Sequence, residues 1–300
     1  MKPFLALTGP TAVGKSSLAL ELAERIGAEI VSVDSRQVYR DLTIGTAKPD
    51  AADLARVPHH FVDERDLDEP FSAGQFAREA EDRIDAILAR GHVPLAVGGS
   101  TLYLTALVHG LASIPAVSST VAKDVGIEAS TPEGREALFQ ELQDADPSAA
   151  ATLDPTKTQR LGRLVGALRE TGRPPSQAWS EAPEPRHRFR VVVLDRPRDE
   201  LYDRINRRAV SMMKAGLIEE NRRLLERAES PAVLKAIGYR EPQAFLRGEI
   251  AEDEVLRLVQ RNSRRYAKRQ LTWFRRYPSY TWLDARGATP ERLANLAGEL

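Results

Sequence analysis

The sequence contains no cysteine. This absence excludes disulfides, thiolate zinc sites and a cysteine nucleophile. No apolar run approaches the ~20 residues that a membrane-spanning helix needs. The apolar start at residues 4–7 is interrupted at Gly9-Pro10, before the core of a signal peptide could form. Together these absences predict a cytoplasmic protein that has no membrane segment.

An excess of charge of one sign is also missing. The chain has 43 basic and 43 acidic residues, so its formal net charge is zero. Any binding to nucleic acid must therefore come from local basic clusters. With 300 residues, of which 42% are hydrophobic and 29% charged, the chain is typical of a globular protein and can form one core domain plus a smaller one.

Apolar strand-like runs alternate with helical periodicity in the first third of the chain. The pattern predicts strands at 4–8, 29–33 and 93–97, and amphipathic helices at 16–26 and 72–90. Such alternation is typical of a parallel sheet covered by helices on both faces. We therefore predict an α/β fold with a P-loop NTPase-like parallel sheet.

The pattern changes after Gly110. From about 113 to 185 helical segments at 135–143 and 158–170 are clearest, and no convincing strand is seen. A strand returns at 190–194, long helices follow at 199–227 and 252–276, and 280–283 could form an edge strand. The predicted organisation is a discontinuous α/β core, a mostly helical insertion and a C-terminal tail, at 1–112 with 186–285, 113–185 and 286–300 respectively.

A phosphate-binding loop occupies the turn between the first strand and the first helix. The residues are Gly9, Pro10, Thr11, Ala12, Val13, Gly14, Lys15 and Ser16, and they match G-x-x-x-x-G-K-[ST] in the context that the motif requires. Backbone N–H groups and the helix N-terminus bind phosphate oxygens, Lys15 adds a full charge, and the Ser16 hydroxyl can ligate Mg²⁺. The loop predicts a diphosphate or triphosphate ligand and does not by itself indicate a kinase.

Polar residues follow two other predicted strands. Asp34 follows the second strand, and Ser100 follows the third after Gly98-Gly99. Strand ends beside a P-loop face the ligand cleft. Asp34 could be a metal ligand, a general base or a helix N-cap, and spacing alone favours the base no more than the others. Ser100 could bind the ligand or cap the next helix. The aspartate that P-loop ATPases and GTPases commonly place after such a strand is absent.

Several further blocks accompany the loop in order along the chain. They are Val31-Ser32-Val33-Asp34-Ser35-Arg36-Gln37-Val38-Tyr39, Ile44-Gly45-Thr46-Ala47-Lys48-Pro49, Pro58-His59-His60, Gly98-Gly99-Ser100 with Leu102-Tyr103, Gly238-Tyr239-Arg240-Glu241, and Tyr266-Ala267-Lys268-Arg269-Gln270-Leu271-Thr272-Trp273-Phe274-Arg275. With the loop, these blocks cover residues 9–275 and resemble the tRNA dimethylallyltransferase (tRNA isopentenyltransferase) family.

The resemblance implies transfer of a dimethylallyl group from dimethylallyl diphosphate to N6 of the adenosine 3′-adjacent to the anticodon in tRNA, with release of pyrophosphate and help from Mg²⁺. It implies that the loop holds the diphosphate, that Asp34 accepts from the adenine amine and that Ser100 lies near the reacting centre. Arg208 falls where the family has an arginine that reaches the diphosphate. The alternative for Arg208 is a solvated basic helix face shared with Arg204 and Arg207.

The expected tRNA contacts come from the same blocks and from a basic helix. By resemblance they include Asp34, Ser35, Arg36, Gln37, Ser100, Lys123, Gln159, Arg160, Arg163, Lys235, Gly238, Tyr239 and Arg240. The family's arginine before Lys123 is replaced by Ala122 here. Arg257, Arg261, Arg264, Lys268 and Arg275 recur at helical spacing and predict a face for the RNA backbone, with a solvated face as the alternative.

The expected partners are the tRNA anticodon stem-loop and dimethylallyl diphosphate, and we expect a monomer. A P-loop kinase of a nucleotide or small metabolite is the main alternative function, because it would share the loop, the fold and Mg²⁺. A non-catalytic RNA-binding protein is the third, and the intact Lys15 and Ser16 argue against it.

Overall fold

The structure is a computed structural model that describes residues 3–111, 114–115, 117–154, 156–180, 184–227 and 232–298. The chain divides into two compact units, Met1–Val108 with Pro185–Leu300, and His109–Glu184. The boundary predicted at 112–113 falls on residues outside the described part of the chain.

The first unit is built on a parallel sheet of six strands. They are β1 (Phe4–Thr8), β2 (Ala28–Val33), β3 (His59–His60), β4 (Val93–Gly98), β5 (Phe189–Asp195) and β6 (Thr281–Asp284). Their order is β3-β2-β4-β1-β5-β6, and each pairing is parallel. The predicted P-loop NTPase-like sheet is thereby confirmed, with β1 at its centre. The two-residue β3 was not predicted, because it is too short to show a periodic pattern.

Helices connect these strands. In chain order they are α1 (Lys15–Ile26), α2 (Ala51–Arg56), α3 (Ala73–Ala89), α4 (Thr101–His109), α5 (Ser119–Glu128), α6 (Pro132–Ala145), α7 (Pro147–Ala151), α8 (Thr158–Thr171), α9 (Gln177–Ser180), α10 (Arg198–Lys214), α11 (Leu217–Arg227), α12 (Arg240–Leu246), α13 (Glu252–Phe274) and α14 (Pro290–Gly298), with a 3₁₀ turn at Ala232–Lys235. None of the helices in the described residues is long and apolar enough to cross a bilayer.

Local sequence explains where several helices begin and end. Ser72 and Gln75 form a capping box that starts α3, which buries Phe76 and Ile84 against the sheet. The single long helix predicted at 199–227 is wrong. Gly216 adopts a φ of 95°, which an α-helix cannot accommodate, and it separates α10 from α11.

The C-terminal tail predicted at 286–300 is also corrected. It contains α14, whose Leu293 is fully buried in the core that includes α1. Arg25 on α1 and Glu291 on α14 form an ion pair at 2.8 Å. The segment is part of the first unit because its apolar residues recur at helical spacing and cover α1.

The second unit, seen in the described residues of 109–184, consists of α5 to α9 and contains no strand. Its core is formed by Val125, Leu138, Leu142, Leu161 and Leu164, among others. At its surface Arg169 binds both Glu128 and Glu141, at 2.6 Å each. The predicted helical character of the insertion is confirmed for these residues.

Candidate active site

Three strand ends meet at one edge of the sheet. The P-loop follows β1, Asp34 follows β2 and Ser100 follows β4, and β4 lies between the other two strands. The ends of β2 and β4 approach so closely that a Cβ on Gly98 would lie 2.1 Å from the carbonyl oxygen of Val33. Glycine is therefore required at Gly98, and the backbone brings Asp34 and Ser100 to the same cleft.

The P-loop is shaped by left-handed residues and by cations that bind its carbonyls. Gly9, Ala12 and Gly14 have φ angles of 146°, 64° and 114°. The Lys15 ammonium donates to the carbonyls of Gly9 and Pro10, at 2.9 Å each. Arg204 donates from Nε to the carbonyl of Ala12 at 2.7 Å. The sequence motif thus has its expected loop conformation between β1 and α1.

Gln270 on α13 holds the P-loop against the end of β4. Its Oε1 accepts from the Thr11 N–H at 2.9 Å, and its Nε2 donates to the Gly99 carbonyl at 2.7 Å. The residue is 2% exposed, and a Cβ on Gly99 would lie only 2.6 Å from Nε2. Nothing in the local sequence pattern distinguishes Gln270 as a functional residue. The available signal was an uncharged polar residue in the buried stripe of a basic helix, between Ala267 and Phe274.

Two cations lie in a poorly solvated part of the cleft. Burial lowers the pKa of Lys15 to about 7, the charge of Arg208 adds to this effect, and Asp34 opposes it. Burial also lowers the pKa of Arg208, which Asp34 counteracts. Arg208 contacts the Thr11 hydroxyl and the Thr46 carbonyl at 3.5 Å. The positive charge of Lys15 and Arg208 suits an anion with several oxygens, such as a diphosphate.

Arg208 therefore does not lie on a solvated face with its neighbours. Arg207 points outward and pairs with Asp203 at 2.7 Å, while Arg208 lines the cleft. The difference follows from helical spacing, since Ile205 and Ala209 of α10 are buried and Arg208 flanks that buried stripe.

Asp34 caps a turn and keeps one oxygen available. Its Oδ1 accepts from the N–H groups of Arg36 at 2.8 Å and Gln37 at 3.2 Å. No described residue donates to its second oxygen. The turn at 35–38 does not continue into a helix, so Asp34 is not a helix N-cap. The Ser100 hydroxyl likewise has no hydrogen-bond partner among the described residues, although α4 begins at the next residue.

Two cavities meet at Asp34. A large cavity of about 360 Å³ and a small cavity of about 120 Å³ share Thr11, Asp34, Thr46, Arg208 and Tyr266 in their walls. The small cavity also contains Lys15, Ser16, Ala19, Leu20, Ile30, Gln37 and Val97, so it has a cationic end and apolar sides. The large cavity adds Ser35, Arg36, Ser100, Lys235, Gly238, Tyr239, Arg240 and Arg269.

A buried carboxylate fixes one wall of the large cavity. Glu220 on α11 accepts from the N–H of Ile44 at 2.7 Å, from the N–H of Gly45 at 3.2 Å and from the Tyr239 hydroxyl at 2.9 Å. Gly45 packs so tightly that a Cβ there would lie 2.6 Å from the Tyr239 ring. Glu220 was not identified from the sequence, where it resembles any acidic residue of an amphipathic helix.

The remaining predicted tRNA contacts lie elsewhere. Arg264 donates to the Asn206 side chain at 2.5 Å, and Lys268 lies in a different cleft. In the second unit, Lys123 on α5 and the three α8 residues Gln159, Arg160 and Arg163 are exposed.

The residues of the basic face predicted for α13 differ in exposure. Arg261 and Arg264 are half-buried, and Arg264 contacts Asn206 on α10. Arg257 is exposed and pairs with Glu254.

The cleft offers hard oxygen ligands for Mg²⁺. The Ser16 hydroxyl is exposed and makes no hydrogen bond to any residue that the structure describes. Within those residues no cluster of three or more His, Cys, Asp or Glu side chains could hold a metal. Mg²⁺ is commonly bound through a few protein oxygens plus phosphate oxygens of the substrate. Ser16, beside the cationic end of the small cavity, fits such a site.

The family model described as IPP transferase matches residues 37–277. The chain is 52% identical to a tRNA dimethylallyltransferase from Salinibacter ruber, over 97% of this chain and 90% of the relative. It is 43% identical to one from Chlorobaculum parvum, over 94% and 92%.

Two solved structures are also similar. The full-length tRNA isopentenylpyrophosphate transferase from Bacillus halodurans has a TM-score of 0.72 at 36% identity and covers 100% of this chain and 95% of that one. A eukaryotic dimethylallyltransferase acting on tRNA has a TM-score of 0.80 at 25% identity, over 100% of this chain and 77% of that one.

Proposed function

Because the chain belongs to the IPP transferase family of tRNA dimethylallyltransferases, we propose that it brings its two substrates together where the large and small cavities meet. The small cavity takes dimethylallyl diphosphate, and the large cavity takes an adenine of tRNA. The shared wall at Asp34 is the observation that carries this assignment, because it is the place where both substrates can contact one carboxylate.

The small cavity suits a prenyl diphosphate on chemical grounds. Lys15, Ser16 and Arg208 lie at its polar end, where they can bind the diphosphate. Ala19, Leu20, Ile30 and Val97 supply apolar contacts for a short hydrocarbon chain. Ser16 would hold Mg²⁺ there, and the ion when bound adds positive charge beside the leaving pyrophosphate.

The reaction makes one bond and breaks another. The adenine N6 attacks the first carbon of the dimethylallyl group, and the bond from that carbon to the diphosphate oxygen breaks. Lys15 and Arg208 stabilise the negative charge that develops on pyrophosphate. Asp34 accepts the proton from N6 through the carboxylate oxygen that has no donor in the described residues, a role that typically contributes about 10²–10⁴-fold in rate.

The large cavity suits a base removed from a stacked RNA loop. A base must leave the stack before its exocyclic amine can react, and loop nucleotides leave most readily. Ser35, Arg36, Lys235 and Arg240 give the cavity polar and cationic walls, and the ring of Tyr266 lies beside Asp34. The expected target is the adenosine 3′-adjacent to the anticodon.

Incubation with unmodified tRNA and isotopically labelled dimethylallyl diphosphate tests this function. Nucleoside analysis should find the label on N6 of the adenosine that follows the anticodon. Lys15→Ala should abolish transfer, while Lys214→Ala, an exposed lysine of α10 that lines neither cavity, should not. Equal labelling of a tRNA with guanosine at the target position would contradict the assignment.

A further inference from the structure

A second cleft lies in the first unit and shares no residue with the large or small cavity. It has a volume of about 680 Å³ and is found where β5 and β6 end, beside the start of α10 and the last turns of α13. Its walls include Arg196, Arg198, Tyr202, Lys268, Thr272, Arg275, Trp282, Asp284 and Arg286. The P-loop and the other residues of the predicted diphosphate site do not line the second cleft.

The second cleft carries positive charge that its own acids do not neutralise. Five basic and two acidic residues line it. Both acids are engaged, since Asp284 accepts from the Arg286 guanidinium at 2.5 Å and Asp195 accepts from the Arg196 N–H at 2.8 Å. Arg198, Lys268 and Arg275 are exposed, and no carboxylate pairs with them within the described part of the chain.

Each of the two aromatic residues of the second cleft has an arginine over its ring. The Arg198 guanidinium lies 5.1 Å from the Tyr202 ring, and that of Arg275 lies 5.6 Å from the Trp282 ring. These contacts orient two of the cations of the cleft. The exposed cations suit an anionic ligand, and phosphate is the group that arginine and lysine bind most readily in RNA.

Helix α13 relates this cleft to the proposed tRNA site. Arg269 lines the large cavity and its neighbour Lys268 lines the second cleft. Neighbouring residues of one helix therefore reach both sites, and the phosphates of an RNA chain are closely spaced. We propose that the second cleft binds backbone phosphates of the same tRNA, an inference that rests on the proposed function.

The salt dependence of tRNA binding tests the second cleft. Lys268→Ala and Arg275→Ala should each reduce the slope of log affinity against log salt concentration by about one. Pyrophosphate affinity should not change. Arg257→Ala is the matched control, because this arginine lies on the same helix but pairs with Glu254 and lines no described cavity. Unchanged slopes in both variants would overturn the inference.

Titration with adenosine monophosphate, with pyrophosphate filling the P-loop, separates a free nucleotide from RNA. Weak binding that is the same in wild type and in the Lys268→Ala/Arg275→Ala variant supports RNA as the ligand. Binding that the double variant loses, with an unchanged tRNA slope, would make the cleft a nucleotide site and refute the inference. Prenyl transfer by the wild type is measured in parallel. If the wild type transfers the prenyl group but the variants keep the wild-type slope, only the role of the second cleft is refuted. If the variants have reduced slopes but the wild type transfers no prenyl group, only the proposed function is refuted.

Discussion

Gln270 is an uncharged residue that positions the P-loop through two hydrogen bonds. We predict that Gln270→Met, which keeps the length of the side chain and removes both hydrogen bonds, weakens pyrophosphate binding about tenfold. Two part-buried groups, the Thr11 N–H and the Gly99 carbonyl, lose their partner, at about 1 kcal/mol each, and part of this cost falls on the loop conformation that binds phosphate.

Calorimetric titration measures the effect of Gln270→Met. Gln260→Met is its control, since Gln260 lies on the same helix and donates to the Asn206 carbonyl at 3.3 Å, away from both cavities. Equal pyrophosphate affinity in the two variants would show that Gln270 does not position the loop.

The sequence predicted the residues that belong to local motifs and not those that join distant segments. Asp34 and Ser100 each follow a strand pattern that can be read along the chain, and Arg208 was expected from the family resemblance. The structure places all three in the wall of the large cavity. Gln270 and Glu220 contact residues that are 259 and 176 positions away. Only the fold brings these partners together, so periodicity shows that such residues are buried but not what they bind.

The segments around Gly45 and Tyr239 form a wall only because α11 supplies Glu220 between them. We predict that Glu220→Gln lowers the free energy of unfolding by about 1–3 kcal/mol and raises the KM for tRNA, because the new amide cannot accept from all three donors. Pyrophosphate affinity should be retained, since the P-loop does not contact Glu220.

Denaturant unfolding and steady-state kinetics check the Glu220→Gln prediction. Glu219→Gln is the matched control, because Glu219 is the adjacent residue of α11, is exposed and pairs only with Arg222 in the described structure. If the two variants had the same stability and the same KM for tRNA, Glu220 would not support the cavity wall.

Helices and strands were predictable to the extent that their patterns are long. The helix at α3 was predicted within one residue at each end, because its apolar stripe runs through four turns and a capping residue precedes it. The break at Gly216 was not predicted, since a glycine within an amphipathic pattern does not reveal its φ angle. The helix in the tail was not predicted, because its nine residues include few large apolar side chains. Which of its faces is buried becomes evident only from its packing against α1.

Taken as one folded protein, the chain should be stabilised by its own substrate more than by a nucleotide. A ligand at 100 times its Kd stabilises the folded state by about 2.7 kcal/mol. We predict a larger rise in Tm with dimethylallyl diphosphate or pyrophosphate plus Mg²⁺ than with ATP plus Mg²⁺ at equal concentrations. The small cavity, at about 120 Å³, suits a short diphosphate ester. A larger shift with ATP would favour the kinase alternative.

The role of Asp34 is tested most directly by comparing the wild type with Asp34→Asn in single-turnover prenyl transfer and in pyrophosphate titration with and without Mg²⁺. The substitution keeps the shape and the cap on the turn at 35–38 but removes the carboxylate that receives the N6 proton. We predict that the rate of transfer falls by about 10²–10⁴-fold, while pyrophosphate binding keeps its dependence on Mg²⁺. Loss of that dependence would make Asp34 a metal ligand and contradict its assignment as the base.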